Sequence, residues 1–344
     1  MYRSQSIIAF AVIVVLTAFL IVGCSGGNSQ PTGQETGGNG DSTKTINLKV
    51  GHVLAPTHPY QLGLEKFAEL VAEKSGGRVK VEVFHSSQLG NEREMIEGLQ
   101  MGTLDMTLVS TAPLAGFSNK FLVFDLPFIF QSREQAYKVL DGPIGTEILD
   151  SLKDQGIVGL AYWENGFRNV TNSKRPVIHP EDMKGMKIRT MENKIHMASF
   201  KTIGADPTPM AFGELFTALQ QQTVDAQENP IPIIYTSNFF EVQKYLSLTG
   251  HFYAAAPLLI SKARWDTLPA DVQQAIKEAA IEARDYEREL IQKMDNELLE
   301  ELKKKGMEVS EVDKNEWLKA MEPVYKQFED EIGADVIAKV RGVK

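Results

Sequence analysis

Beyond residue 43 the apolar residues switch repeatedly between two spacings, and no other feature limits the fold of this chain as strongly. Ile46, Leu48 and Val50 alternate as in a strand that closes at Gly51-His52, whereas Leu64, Phe67, Ala68 and Val71 share one face of a helix stopped by Gly76-Gly77. Val79, Val81 and Val83 return to the strand period, Met95, Ile96 and Leu99 to the helical one, and 104–109 reads as a third strand. Strands that alternate with helices predict a largely parallel, doubly wound α/β sheet. Ligands in such sheets sit beyond the carboxyl ends of the strands, here at the loops 51–60 and 110–117.

The alternation continues along the chain. A strand at 156–162 leads into Trp163-Glu164-Asn165-Gly166-Phe167-Arg168, and a second α/β unit runs from there to about residue 249, after which 253–260 returns as a strand. This divides the globular part into one α/β domain at 44–165, to which 250–290 returns, and a second at 166–249. From 269 to 305 Val272, Ile276, Ala279, Ala283, Leu290, Met294 and Leu298 keep near-helical spacing, and Gly306 ends the run. At 1.5 Å per residue such a helix extends roughly 50 Å, wider than one small domain. Poor heptad discipline favours a helix lying across both units over a coiled-coil dimer. A last amphipathic helix is expected over 314–332, so that 270–344 forms the spanning and C-terminal helices.

The first residues set the compartment. Arg3 is the only charge before an apolar run that ends in Ile21-Val22-Gly23-Cys24, as in a secretory signal covering 1–23, and the run falls short of a membrane span. Its last four residues resemble a bacterial lipobox, which makes Cys24 the lipidation site. Cys24 is the only cysteine, so no disulfide within the chain is possible. The Gly-, Ser-, Asn- and Gln-rich stretch that follows, to residue 43, lacks the apolar surface to fold and reads as a tether with a reach of about 25 Å. A diacylated Cys24 would hold the folded part just outside a membrane.

From Cys24 onward 35 basic and 45 acidic residues leave a net charge of −10, which argues against nucleic-acid binding. Hydrolase elbows, phosphate loops, dinucleotide fingerprints, zincin motifs and EF-hand loops are missing from the sequence, and the six histidines show no metal-ligand spacing. No catalytic residue, cofactor or metal is expected. On an acidic chain an anion site must be built from individual arginines.

One arginine stands out. In the stretch 184–230, Arg189 ends a strand-like run, followed by an amphipathic helix, a Pro-rich turn, a second helix and Glu228-Asn229-Pro230. A fixed guanidinium near an Asn amide suits the capture of a carboxylate, because its planar donor fork matches two carboxylate oxygens.

With those residues the chain resembles the DctP-type extracytoplasmic solute receptors of tripartite ATP-independent periplasmic (TRAP) transporters. The likeness rests on SSQLG at 86–90, GTLDM at 102–106, FDLPFIF at 124–130, DMKGMKIR at 182–189 and TPMAFGELFTALQQQTVDAQENP at 208–230. It implies a two-domain periplasmic-binding-protein-like clamp with crossing strands and a long domain-spanning helix. It also implies a monomer that closes on a small organic acid and delivers it to integral-membrane permease subunits, and no enzyme. By the same resemblance Arg189 grips the ligand carboxylate, Asn229 supports it, Phe212 walls the pocket and Arg168 adds a second donor. Arg168 and Phe212 also admit structural readings, as a strand-end charge and a core aromatic. Glu192 stands where the sialic-acid branch has an Asn, and Leu108, Val109 and Ser110 replace that branch's Glu region. If Glu192 faces the ligand it accepts bonds from hydroxyls and repels a second carboxylate, which favours a uronate or keto-sugar acid over a C4-dicarboxylate. As a first-turn helix residue it would instead point to water. His52, Gln88 and Glu164 are further candidates for hydroxyl contacts. A receptor that signals to a membrane kinase would share the same fold and site.

Overall fold

The computed structural model describes residues 45–343. The expected signal peptide, the Cys24 lipidation site and the tether lie outside the described residues. Among the described residues no helix is long and apolar enough to cross a membrane.

Among the described residues nine strands form one sheet: β1 (Ile46–Gly51), β2 (Val79–Phe84), β3 (Met106–Leu108), β4 (Ile157–Asn172), β5 (Lys187–Thr190), β6 (Asp206–Pro209), β7 (Ala226–Asn229), β8 (Tyr245–Ser261) and β9 (Glu308–Ser310). The order is β2-β1-β3-β8-β4-β7-β5-β6, with β9 beside β8. Each end is parallel as the alternation predicts, β2-β1-β3 in the first half and β7-β5-β6 in the second. Parallel neighbours need crossovers, and the helices Pro59–Lys74, Glu92–Met101, Lys194–Thr202 and Phe212–Gln220 supply them.

The centre differs from a doubly wound sheet. There β4 and β8 run antiparallel to each other for almost their whole length. The carboxyl end of β8 pairs with β3, and the carboxyl end of β4 pairs with β7, so the two long strands cross from one half to the other. The strand expected to end at Tyr162 therefore continues to Asn172. Its polar residues Glu164, Asn165 and Arg168 are buried and hydrogen-bonded, where periodicity alone suggested an exit. The Pro-rich turn expected after the first helix of the 184–230 stretch is β6, an edge strand. An edge strand pairs on one side only, which is why two prolines without N–H donors are tolerated in it.

The long helix spans Ala270–Lys304 and buries Val272, Ile276, Ala279, Ala283 and Ile291. It packs on the helix Pro59–Lys74 of the first half, on β4, and on the short helix Ile231–Thr236 that follows β7. Small residues permit that closeness: a Cβ added to Gly63 would lie 2.6 Å from the Trp163 ring and 3.0 Å from Glu287. The Trp163 indole donates to the Ala280 carbonyl (3.1 Å), and Glu287 accepts from the Glu164 backbone N–H (3.0 Å). Burial pushes the Glu287 carboxyl well above its usual range. The C-terminal helix expected as one piece is broken into Lys314–Met321 and Pro323–Ile332, with a third helix at Ala334–Gly342. Pro323 cannot donate to the preceding turn, and the chain restarts there with proline in the first turn.

A candidate carboxylate site between the two halves of the sheet

The carboxyl ends of β3, β5 and β7 converge on one narrow cleft, lined by Val53, Leu54, Tyr60, Glu92, Ser110, Asn165, Arg168, Arg189, Met191, Phe212, Asn229 and Ile233. It continues outward past Asn91, Arg93, Glu192 and Met210. The strand-end rule thus holds in both halves.

A β-bulge places the first arginine. Between Glu164 and Gly166 the register with β8 slips by one residue, leaving Asn165 as the extra one, and Gly166 takes a φ of 120° that favours glycine. On a regular strand, residues three apart face opposite sides of the sheet. With the bulge, Asn165 and Arg168 face the cleft together, and Arg168 Nη1 donates to Asn165 Oδ1 (3.3 Å). Glu164 turns to the other face, where it accepts from Arg133 Nε (2.7 Å) and from the Tyr137 hydroxyl.

Arg168 is 1 % exposed and already engaged. Nε and Nη2 grip the Glu228 carboxylate, and Nη2 also reaches the Glu228 carbonyl (2.6 Å) and Asn229 Oδ1 (3.1 Å). Burial alone would raise the Glu228 carboxyl. The Arg168 charge outweighs it, with help from His251, and holds the group well below the usual carboxylate range. His251 Nε2 lies 3.4 Å from Glu228, and its Nδ1 meets the Thr249 hydroxyl at 2.7 Å. The Asn229 amide is fixed from both sides, its oxygen by Arg168 and its nitrogen by Gln227.

Arg189 is also buried, at 2 % exposure, but its donors are only half used. Nε and Nη2 both donate to the Met210 carbonyl (2.9 and 2.7 Å), while Nη1 has no hydrogen-bond partner among the described residues. Burial, then the neighbouring Arg168 charge, lowers its pKa to about 10, so the group is still cationic at neutral pH. A buried, charged donor without an acceptor is costly unless something else supplies one.

Glu92 faces the same cleft, and the sequence reading missed it. Its Oε1 accepts from the Ser110 N–H (2.7 Å), and burial raises its pKa despite that bond and the two nearby arginines. Around it Asn165 Nδ2 donates to the Tyr60 hydroxyl (2.9 Å) and to Ser110 Oγ (3.3 Å). Phe212 lines the cleft at the start of its helix and packs against Phe239.

The remaining predicted residues fall elsewhere. Glu192 precedes the helix cap Asn193 and therefore lies outside the first turn; it stands at the rim, 3.7 Å from Arg93 Nη1 across the mouth. His52 is buried behind the lining and does not itself line the cleft, with Gln61 on Nε2 (2.9 Å) and the Leu54 N–H on Nδ1 (3.3 Å). Burial drops its pKa to about 4, so it is a neutral structural group. Gln88 is exposed and lines neither part of the cleft.

Two parallel half-sheets joined by long crossing strands, with a half-free guanidinium between them, define a solute-binding clamp. The chain belongs to the bacterial extracellular solute-binding protein family 7, whose model matches residues 50–331. Members of this class are TRAP solute receptors and not enzymes. A solved TRAP periplasmic solute-binding protein from a Polaromonas species, bound to D-erythronate, matches with a TM-score of 0.85 at 46% identity, covering 87% of this chain and 99% of that one. The 2,3-diketo-L-gulonate-binding periplasmic protein YiaO of Escherichia coli is 39% identical over 302 residues, 87% of this chain and 92% of the relative. A further TRAP receptor, from Sulfurospirillum deleyianum with bound succinate, matches with a TM-score of 0.84 at 36% identity, covering 88% and 100% of the two chains.

Proposed function

We propose that this receptor captures a hydroxylated monocarboxylate, a sugar acid of the aldonate, uronate or keto-acid kind, and hands it to the membrane subunits of a TRAP symporter. The observation that carries this reading is the unpartnered Nη1 of Arg189. The Nε side of the guanidinium is taken by Met210, so its end-on edge remains for one carboxylate, with the Asn229 amide alongside. Arg168 is neutralised by Glu228, which leaves Arg189 as the cleft arginine with an unused donor, beside the Glu92 carboxyl. A second carboxylate would instead meet Glu92 and, further out, Glu192, whose charge Arg93 faces at 3.7 Å. The same acidic groups accept hydrogen bonds from hydroxyls, which turns the charge count into a preference for sugar acids over succinate.

The relatives named above span both ligand types, D-erythronate and 2,3-diketo-L-gulonate on one side and succinate on the other. A thermal-shift panel separates them. A sugar acid at about 100 times its dissociation constant should add roughly 2.7 kcal/mol to the folded state, a rise of about 5 °C. Succinate and malate at the same concentration should add little. A shift with dicarboxylates alone would overturn the preference, and no shift with any acid would overturn the carboxylate reading itself.

The two domains, 44–165 with 250–290 and 166–249, close over the ligand by bending at β4 and β8, and the protein works as a monomer. Lipidation at Cys24 keeps it at the outer face of the cell membrane. Cys24→Ser should release it from the membrane fraction into the soluble one; full retention in the membrane would exclude the anchor.

A further inference from the structure

The FDLPFIF segment contributes no side chain to the carboxylate cleft, yet it carries a buried acid. Asp125 closes the turn Asn119–Asp125 and is 2 % exposed. Its Oδ2 accepts from Asn193 Nδ2 (2.7 Å), and its Oδ1 lies 3.3 Å from His196 Nε2. Asn193 Nδ2 donates as well to the carbonyl of Ala112 (3.0 Å), on the turn that follows β3. The opposite end of the same amide faces its own helix: Asn193 Oδ1 caps Lys194–Thr202 through the N–H groups of Ile195 (2.8 Å) and His196 (3.2 Å). One side chain thus starts a helix of the second half with its oxygen and holds the first half with its nitrogen.

The surroundings make this contact consequential. Asn193 and His196 are buried, and the His196 ring stacks on Phe252 at 4.1 Å and 8°. Together the halves satisfy Asp125, the Ala112 carbonyl and the Asn193 N–H group out of water, and parting them exchanges these bonds for weaker net interactions with solvent. None of these groups lines the carboxylate cleft.

We infer that the Asp125–Asn193–Ala112 interlock is a closure latch, which sets the population of the closed clamp before any ligand binds. This rests on the reading that the two halves open and close. Apparent affinity is the intrinsic affinity scaled by the closed fraction, so the latch tunes binding without touching the ligand.

Asn193→Asp tests it, because aspartate keeps the oxygen that caps the helix and replaces the donor with a charge aimed at Asp125 and the Ala112 carbonyl. The full chain carries spin labels at the exposed positions Lys80 and Asp206, at opposite edges of the sheet, and their separation is measured without ligand. Asn193→Asp should lengthen and broaden that distance and weaken D-erythronate or D-galactonate binding by about thirty-fold, with the ligand-free melting temperature held within about 2 °C. Adding Asp125→Asn restores the bond between positions 125 and 193 with donor and acceptor reversed, but leaves the Ala112 carbonyl without a donor, and should recover part of both effects. Unchanged distances in Asn193→Asp would overturn the latch, as would a loss of ligand-free stability that accounts for the weaker binding. If distances shift while no acid binds even the wild type, the latch stands and the carboxylate reading falls. If acids bind and neither distance nor affinity responds, the reverse holds.

Discussion

Arg189→Ala should reduce sugar-acid affinity by a factor between about thirty and several thousand, the range for removing one partner of a desolvated, hydrogen-bonded charge pair (about 2–5 kcal/mol). The geometry makes the loss hard to compensate. Arg168 cannot swing in, because Glu228, Asn229 and Asn165 already hold its guanidinium. Arg189→Lys should do nearly as badly. An arginine here binds the Met210 carbonyl with one edge and offers the other to the ligand, whereas a lysine ammonium has no second edge held in plane. Calorimetry on both variants, beside their ligand-free melting curves, separates loss of the ligand bond from the cost of stranding the Met210 carbonyl. Wild-type affinity in Arg189→Ala would show that the carboxylate is held elsewhere.

The place of Arg189 near the end of β5 was legible because a lone arginine at a strand end is a local feature. The groups that orient it were not. The Met210 carbonyl has no signature in a sequence, and Glu92 sits in the charged run Asn91-Glu92-Arg93-Glu94, which reads as a capped helix start and is one, with Asn91 and Glu94 bonding reciprocally. The long helix was legible over its whole length because its apolar period persists across 35 residues, whatever it packs against. β4 was cut short for the opposite reason. Its second part carries acids, amides and an arginine whose partners lie 31 and 60 residues away, in Arg133 and Glu228, and no local period reveals such pairing. The bulge at Asn165 then reverses which side each following residue faces, so Glu164 reads as a neighbour of the site when it points away from it. Two prolines hid β6, since only the sheet order shows that the strand lies at an edge.

Glu228→Gln should be the most destabilising single change at this site, by about 3–5 kcal/mol, because it leaves the Arg168 charge buried without its counter-ion. For a protein of this size that corresponds to a fall in melting temperature of about 6–9 °C. The effect depends on pH in a defined direction. The folded protein holds the Glu228 carboxyl well below the 4.5 expected of an unfolded glutamate, so the pair's contribution is present above that pH and is lost as pH falls beneath it. The gap between wild type and Glu228→Gln should therefore be full at pH 7 and narrow on acidification. Arg168→Met combined with Glu228→Leu removes both charges and fills the volume, and buried pairs replaced in this way often lose little stability. The double variant should melt well above Glu228→Gln yet bind acids poorly, because Asn229 then loses the donor that fixes its amide against the cleft. A double variant with wild-type affinity would reduce the Arg168–Glu228 pair to a structural brace. The expected split, stability recovered and binding not, would show that the pair is kept for the orientation it gives Asn229.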